Sequence, residues 1–351
     1  MIIHNKFVGG NIFVDKIEEN HVYLRNEQRD TVAVNGKDRF YWAFVVEGAE
    51  GQELTFHFGK RRLGIWGPAV SHDLMEWHWL DQNVDNTFTY RFGENESKVY
   101  FAHHILYHPA HFFAFAERNG LTVEEFCKGR KGSSVPCLKI GDGERSIILT
   151  ARHHACESVS NYIIEGLVES LLEDPIENTR ILVVPMIDYD GIVEGDQGKN
   201  RYPHDHNRDY IDEPIYPEIR ALIDYTEQYG CHYAFDLHSP GHSDKRIFMM
   251  ESIKPEKINR FSDILAEEYL EGGLRYAPEK RIEGKSLNRQ MPKYTFTDYM
   301  NCRPENALAL TLETTYTGSE AYKLTADSLR IFGHSLANAI RRFIAETDPK
   351  S

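Results

Sequence analysis

The 351 residues contain no uninterrupted apolar run long enough to cross a bilayer, so a membrane-spanning protein is not expected. Positive charge is scarce. Forty Lys and Arg stand against 54 Asp and Glu, a formal charge of −14, which is the wrong sign for gripping a phosphate backbone and excludes nucleic acid as the expected partner. Cysteine is sparse as well: Cys127, Cys137, Cys156, Cys231 and Cys302 are odd in number, scattered and without a CxxC pair. That pattern fits reduced thiols, not a disulfide frame or a cysteine zinc knuckle. The opening Met1-Ile-Ile-His-Asn-Lys-Phe7 lacks the apolar stretch and small-residue cleavage site of a secretory signal, so the cytoplasm is the expected compartment. Internal repeats and low-complexity tracts are also missing, which excludes solenoids and linker-like chains.

What remains is a chain with 41 % apolar and 27 % charged residues, enough to fill a core and to cover it. Its length exceeds one ordinary domain, and the patterning divides it in two. From Val22 to about Phe101 apolar residues alternate at period two, as in Phe40-Tyr-Trp-Ala-Phe-Val-Val46, Leu54-Thr-Phe-His-Phe58 and Thr87-Phe-Thr-Tyr-Arg-Phe92. Such runs, separated by Gly and Asn/Asp turns, predict an antiparallel β-sandwich with the aromatic stripes as its core. A short helix is expected after Pro109 and another over Thr122 to Cys127. The breaker-rich, basic Lys128-Gly-Arg-Lys-Gly-Ser-Ser134 then marks a boundary, giving residues 1–130 and 131–351 as the two domains. Beyond it, apolar runs at Ser146–Thr150, Arg180–Met186, Cys231–Asp236 and Ala307–Leu312 alternate with amphipathic helices near 158–173, 216–229, 255–271 and 325–346. This is an α/β pattern with a mixed, mostly parallel sheet flanked by helices.

Open α/β sheets place their sites at the carboxyl ends of strands, and three motifs fall there. His154-Ala-Cys-Glu157 follows a strand and precedes a helix capped by Ser158 or Ser160; an imidazole and a carboxylate three apart on a tight turn can face one cation. Asp236-Leu-His-Ser239 ends a second strand and offers His238 as a third ligand, with Asp236 on the same strand face to orient an imidazole. Glu313 ends a third strand; a carboxylate emerging from an apolar run is partly desolvated, and its pKa rises toward that of a general base. Between them, the loop Gly198 to Tyr210 contains Arg201, Asn207 and Arg208, donors suited to a carboxylate or to a polarised carbonyl. Each motif alone has an ordinary structural reading as a core histidine, a strand cap or a solvated loop.

In order along the chain, His154-x-x-Glu157, Asn207-Arg208 before Asp-Tyr, Asp236-Leu-His238-Ser, and Glu313 leading to Thr-Gly resemble the M14 zinc carboxypeptidases. Residues 136–345 look like their catalytic domain, and the β-rich first part, closing on Lys98-Val-Tyr-Phe-Ala-His, is similar to the leading domain of their cytosolic carboxypeptidase branch. The resemblance implies one zinc ion held by His154, Glu157 and His238 with water in the open position, and Glu313 as the base that activates this water. It implies Arg201 as the oxyanion stabiliser, Asn207 and Arg208 as the clamp on a terminal carboxylate, and a closing tyrosine at Tyr294, with Tyr299 the alternative. The residue that sets side-chain preference falls on Thr297 or Asp298. The arginine of glutamate-removing members is missing there, and an Asp298 pointing inward favours a basic terminal residue. The further histidines His153, His204, His206 and His242 are not expected to hold a second ion, and His103, His104, His108 and His111 are expected to pack or face solvent. The expected function is therefore removal of a C-terminal residue from a peptide, a protein tail or a muropeptide. Two alternatives stand beside it: an amidase or deacylase on the same scaffold, and an inactive binding module.

Overall fold

The computed structural model describes residues 1–27, 39–59, 62–285 and 294–347. Among the described residues nine short strands come first: β1 (Ile2–His4), β2 (Phe13–Glu18), β3 (His21–Arg25), β4 (Ala43–Glu47), β5 (Glu53–Phe58), β6 (Ala69–Ser71), β7 (His78–Trp79), β8 (Thr87–Arg91) and β9 (Lys98–Ala102). They form two sheets, ordered β1-β4-β9-β6-β7 and β2-β3-β5-β8. The period-two pattern buries one face of each, so Leu54, Phe56 and Phe58 of β5 turn inward while Glu53 stays exposed. The aromatic stripes meet as a core: Phe44 stacks on Phe101 at 5.2 Å and Phe56 on Phe88 at 4.8 Å. One pairing departs from the antiparallel expectation. β3 and β5 run parallel, because the chain between them passes through β4 in the opposite sheet and returns in the same direction.

The second half contains α1 (Pro109–Arg118), β10 (Glu124–Lys128), β11 (Ser134–Ile140), β12 (Arg145–Ala151), α2 (Val159–Glu173), β13 (Thr179–Val184), α3 (Tyr189–Glu194) and α4 (Pro217–Tyr229). These are followed by β14 (Tyr233–His238), β15 (Ile247–Met249), α5 (Pro255–Glu267), α6 (Phe296–Asn301), β16 (Leu308–Thr314), the small pair β17 (Gly318–Ser319) and β18 (Tyr322–Lys323), and α7 (Ala326–Thr347). Seven strands make one sheet, β10-β11-β13-β12-β14-β16-β15. The central β13, β12, β14 and β16 are parallel, and the outer pairings are antiparallel. All six residues of β14 are buried, as the continuous apolar runs require of strands covered on both faces. One face packs on α2, α5 and α7 through Leu149, Ile163, Phe261 and Ile340; the other packs on α4 and α6 through Ile148, Leu222 and Met300. Helices α2 and α7 approach so closely that a Cβ on Gly166 would lie 1.9 Å from the Arg330 carbonyl oxygen, and one on Gly333 would lie 2.2 Å from that of Ile163. Only glycine permits this crossing.

Two expectations are corrected here. Thr122 to Cys127 is not a helix; Glu124–Lys128 is a strand, because pairing with β11 satisfies its backbone groups, with a bulge between Glu125 and Cys127. The division expected at 130/131 therefore falls in the turn of the β10–β11 hairpin, and β11 in turn pairs with β13, so the seven-stranded sheet begins before that turn. Breaker-rich composition marked a hairpin, not a linker. The five cysteines are free thiols, as expected.

Candidate metal centre

Strand register assembles the centre. β14 and β16 are paired in parallel with His238 directly opposite Glu313, and β12 lies on the other side of β14 with Thr150 opposite Asp236. Neighbouring strands lie about 4.8 Å apart, so side chains leaving three adjacent strand ends share one small volume. The turn after β12 adds His154 and Glu157. Ser158 follows as the N-cap of α2, but its hydroxyl does not cap: it donates to the Ile105 carbonyl and bonds His104, while the Ser160 hydroxyl donates to the His238 carbonyl. The helix start is thereby tied to the β14 end.

Both imidazoles turn Nδ1 toward the Glu157 carboxylate: His154 Nδ1 lies 2.9 Å from Oε1 and His238 Nδ1 lies 2.7 Å from Oε2. Their ligand atoms fall within 4.8 Å of one another, and Glu157 and His238 are buried. His238 Nε2 lies 2.7 Å from Asp236 Oδ2 and 3.2 Å from Asn207 Nδ2. A carboxylate behind a histidine fixes its tautomer and leaves the other ring nitrogen for a cation. Burial opposes charge on His238, but Asp236 and Glu157 outweigh it and push its pKa well up. Glu157 is held far below the usual carboxylate range: burial acts upward, and Lys199, His154 and His238 overcome it. Two imidazole nitrogens and one carboxylate, convergent and with Glu157 and His238 buried, match the donor set of a mononuclear divalent-metal site. His153, Asp236 and His238 also cluster, yet His153 already bonds Asp236 through Nδ1 (2.9 Å) and Tyr210 through Nε2 (2.8 Å), and Asp236 also accepts from Thr150. That group is closed by its own hydrogen bonds.

Glu313 stands beside the triad with Oε2 buried and without a hydrogen-bond partner. Burial raises its pKa, the Glu157 carboxylate adds to the rise, and His238, Lys199 and His154 pull the other way. A desolvated carboxylate without a partner has the chemistry of a proton acceptor.

The loop residues are placed less as expected. Asn207 lies in a 3-10 turn (His206–Arg208); besides its amide at His238, its Oδ1 accepts from the Phe296 amide at 2.9 Å. Arg208 is exposed at the rim and donates to the Asn207 carbonyl at 2.8 Å. Arg201 is not brought to the triad by any of these contacts: its guanidinium pairs with Asp188 Oδ2 at 2.6 Å and Asp196 Oδ2 at 3.1 Å. Tyr294 bridges to Tyr210 by backbone pairing, two residues past Arg208, whereas Tyr299 packs its ring against Tyr210. Asp298 is buried in α6 but its carboxylate is paired with Lys285 at 2.8 Å, so it does not present the bare negative charge expected for a basic side chain. Thr297 bonds Thr311 in the sheet. His204 pairs with Asp209 and His206 stacks on Tyr216, neither joining a metal group.

One residue at the centre was missed. Lys199 extends its ammonium to Glu157 Oε1 at 2.6 Å. Nothing local in the sequence marks it; its place is set by Gly198 lying against Ala155 and His154.

No protein-family model matches the sequence. An uncharacterised protein of Zymomonas mobilis is 25 % identical over 300 residues, covering 79 % of this chain and 77 % of that protein. Mouse cytosolic carboxypeptidase 3 is 29 % identical over 198 residues, covering 46 % of this chain; the match spans only 19 % of the mouse protein. Among solved structures, a metallo-carboxypeptidase of Burkholderia cenocepacia superposes with a TM-score of 0.79 at 18 % identity, covering 98 % of this chain and 99 % of that one. A metallo-carboxypeptidase of Pseudomonas aeruginosa, in complex with (2-guanidinoethylmercapto)succinic acid, also has a TM-score of 0.79 at 18 % identity and covers 99 % of this chain and 100 % of that one. The shared architecture includes the leading β domain, and the chain has the fold of these metallo-carboxypeptidases.

Proposed function

We propose that the protein is a zinc-dependent metallocarboxypeptidase that releases the C-terminal residue of a peptide or protein tail in the cytoplasm. The observation that supports this reading best is the register of β14 and β16, which sets a desolvated, unpartnered Glu313 directly beside His238 of the convergent donor triad. A pure binding module has no need of an open-sided metal triad with a free base next to it. Bound to His154, Glu157 and His238, zinc would supply a Lewis acid and a water of lowered pKa.

The chain's own groups do the rest. Glu313 takes a proton from the attacking water and delivers it to the departing amine. Asp236 holds the His238 ring in orientation. Arg208, a planar bidentate donor at the rim, and Asn207 receive the free carboxylate that only a chain end offers. That exposed position of Arg208 favours an exopeptidase over an amidase acting on neutral-ended amides.

The test is release of free amino acids from peptides with varied C-terminal residues by the zinc-loaded protein and by Glu313→Gln. Glu313→Gln should retain zinc and lose on the order of 100- to 10,000-fold in kcat. Arg208→Gln should lose about tenfold or more on free-carboxylate peptides and nothing on C-terminal amides. Equal loss on both substrates would move the reading to an amidase.

A further inference from the structure

The oxyanion role expected of Arg201 has no support in the geometry of its loop. Gly198, at φ +81°, lies so tightly on the ligand turn that a Cβ there would fall 2.4 Å from the Ala155 nitrogen and 3.0 Å from His154 Cα. The Cys156 amide donates to the Gln197 carbonyl and pins the loop to the same turn. The residue after this contact must project over the triad, and that residue is Lys199. Asn200, at φ +57°, then reverses the chain, and Arg201 leaves on the far side toward Asp188 and Asp196.

We propose that Lys199, not Arg201, is the cation that faces the reacting carbonyl, a reading that rests on the metallocarboxypeptidase function proposed above. Its ammonium donates to the Ser239 and Pro240 carbonyl oxygens at 2.7 and 3.1 Å, which aim it, and its third contact is Glu157 Oε1 at 2.6 Å. The Tyr316 ring closes one side, with Nζ 5.9 Å from the ring centroid. Two of its three N–H bonds thus go to backbone acceptors that cannot move far, and one goes to a carboxylate that a metal ion would share. When a metal ion neutralises Glu157, that third donor is the one able to turn to a substrate oxygen.

In the hydrolysis, the water oxygen forms a bond to the carbonyl carbon, the C=O π pair moves to oxygen, and the water proton goes to Glu313. The ammonium of Lys199 then hydrogen-bonds the new alkoxide oxygen. On collapse, the alkoxide pair re-forms C=O, the C–N bond breaks and the proton passes from Glu313 to the leaving nitrogen; the carboxylic acid formed then gives its remaining water proton to the amine, and a carboxylate and an ammonium result. A donor aimed at the charge-bearing oxygen stabilises the tetrahedral state more than the substrate.

The experiment compares the zinc-loaded wild type, Lys199→Met, Lys199→Arg and Arg201→Met. Zinc content is measured by elemental analysis. Calorimetry measures affinity for a phosphinate dipeptide analogue of the tetrahedral state and for the product amino acid. Lys199→Met should keep one zinc and its product affinity while losing on the order of 100-fold or more in phosphinate affinity and in kcat, with KM little changed. Lys199→Arg should recover part of the phosphinate affinity. Arg201→Met should lower the thermal midpoint, because it removes the guanidinium paired with the buried Asp188 and Asp196, and should retain the ratio of phosphinate to product affinity. The proposal is overturned if Arg201→Met abolishes phosphinate affinity and Lys199→Met does not. It is equally overturned if Lys199→Met loses zinc and phosphinate binding together, which would make Lys199 a support for Glu157. A zinc-loaded wild type that neither binds the phosphinate nor releases an amino acid would instead sink the peptidase reading itself.

Discussion

The candidate metal triad and the loop proposed to meet substrate are built on different kinds of backbone. His238, Asp236 and Glu313 leave the ends of adjacent parallel strands, and His154 and Glu157 leave a turn anchored between β12 and α2. Arg201, Asn207 and Arg208 ride on a long loop that contains only one short 3-10 turn. In the first half, pairing register decides where a side chain goes, and the three expected ligands converge. In the second, the left-handed Gly198 and Asn200 decide, sending Lys199 toward Glu157 and Arg201 toward Asp188 and Asp196. Residue types in a strand-end motif can be trusted to converge; residue types in a loop name only the candidates.

Substitutions can break or sharpen that contrast. The largest effect should come from the ordered half. Asp236→Asn removes the charge behind His238 while leaving its shape, and should lower zinc affinity about 10- to 100-fold, measured by chelator competition. An unchanged affinity would mean that strand geometry alone orients the ring. A second substitution probes the acidic cavity of about 500 Å3 beneath the loop, lined by Asp188, Asp190, Glu218 and Arg201. Glu218 is buried there, and burial, reinforced by Asp188 and Asp190, pushes its pKa up to about 7. With the folded pKa above the unfolded one, its contribution to stability is fully present below about pH 4.5 and is lost as pH rises through 7. The wild type should therefore lose up to about 3 kcal/mol of stability relative to Glu218→Gln between pH 4.5 and 8, read by urea unfolding. Parallel pH profiles for the two proteins would show that this carboxyl is ionised throughout. The smallest effect belongs to specificity. Lys285→Met frees the Asp298 carboxylate, and kcat/KM for peptides ending in Lys or Arg should rise a few-fold over those ending in Leu. No change would place Asp298 outside the side-chain pocket.

The same contrast explains what the sequence disclosed. The strands β12, β13, β14 and β16 and the helices α2, α4, α5 and α7 were legible because each is a continuous apolar or amphipathic run. The β10 strand was not, since its Glu-Glu-Phe-Cys-Lys residues are mostly exposed and its structure comes from pairing with β11. Short edge strand β15 escaped because its three residues, Ile247 to Met249, are too few to show a period, and its structure comes from pairing with β16. Among the candidate site residues, the spacing of His154 and Glu157 is a weak signal alone and gains weight from its place at a strand end. Lys199 did not, because nothing local distinguishes a cation two places before an arginine. Its position depends on Gly198 meeting Ala155, a contact between segments more than 40 residues apart in sequence.

The leading sheets reach into that loop. The Asn11 side chain donates to the Gly195 carbonyl at 2.7 Å, the amides of Phe40 and Tyr41 donate to Gln197 Oε1, and the Trp79 indole donates to the Leu324 carbonyl at 2.7 Å. The β domain therefore serves the seven-stranded half as a jig serves a workpiece: it holds the loop that carries Lys199. Removing it would take away the Asn11, Phe40 and Tyr41 contacts that set this loop.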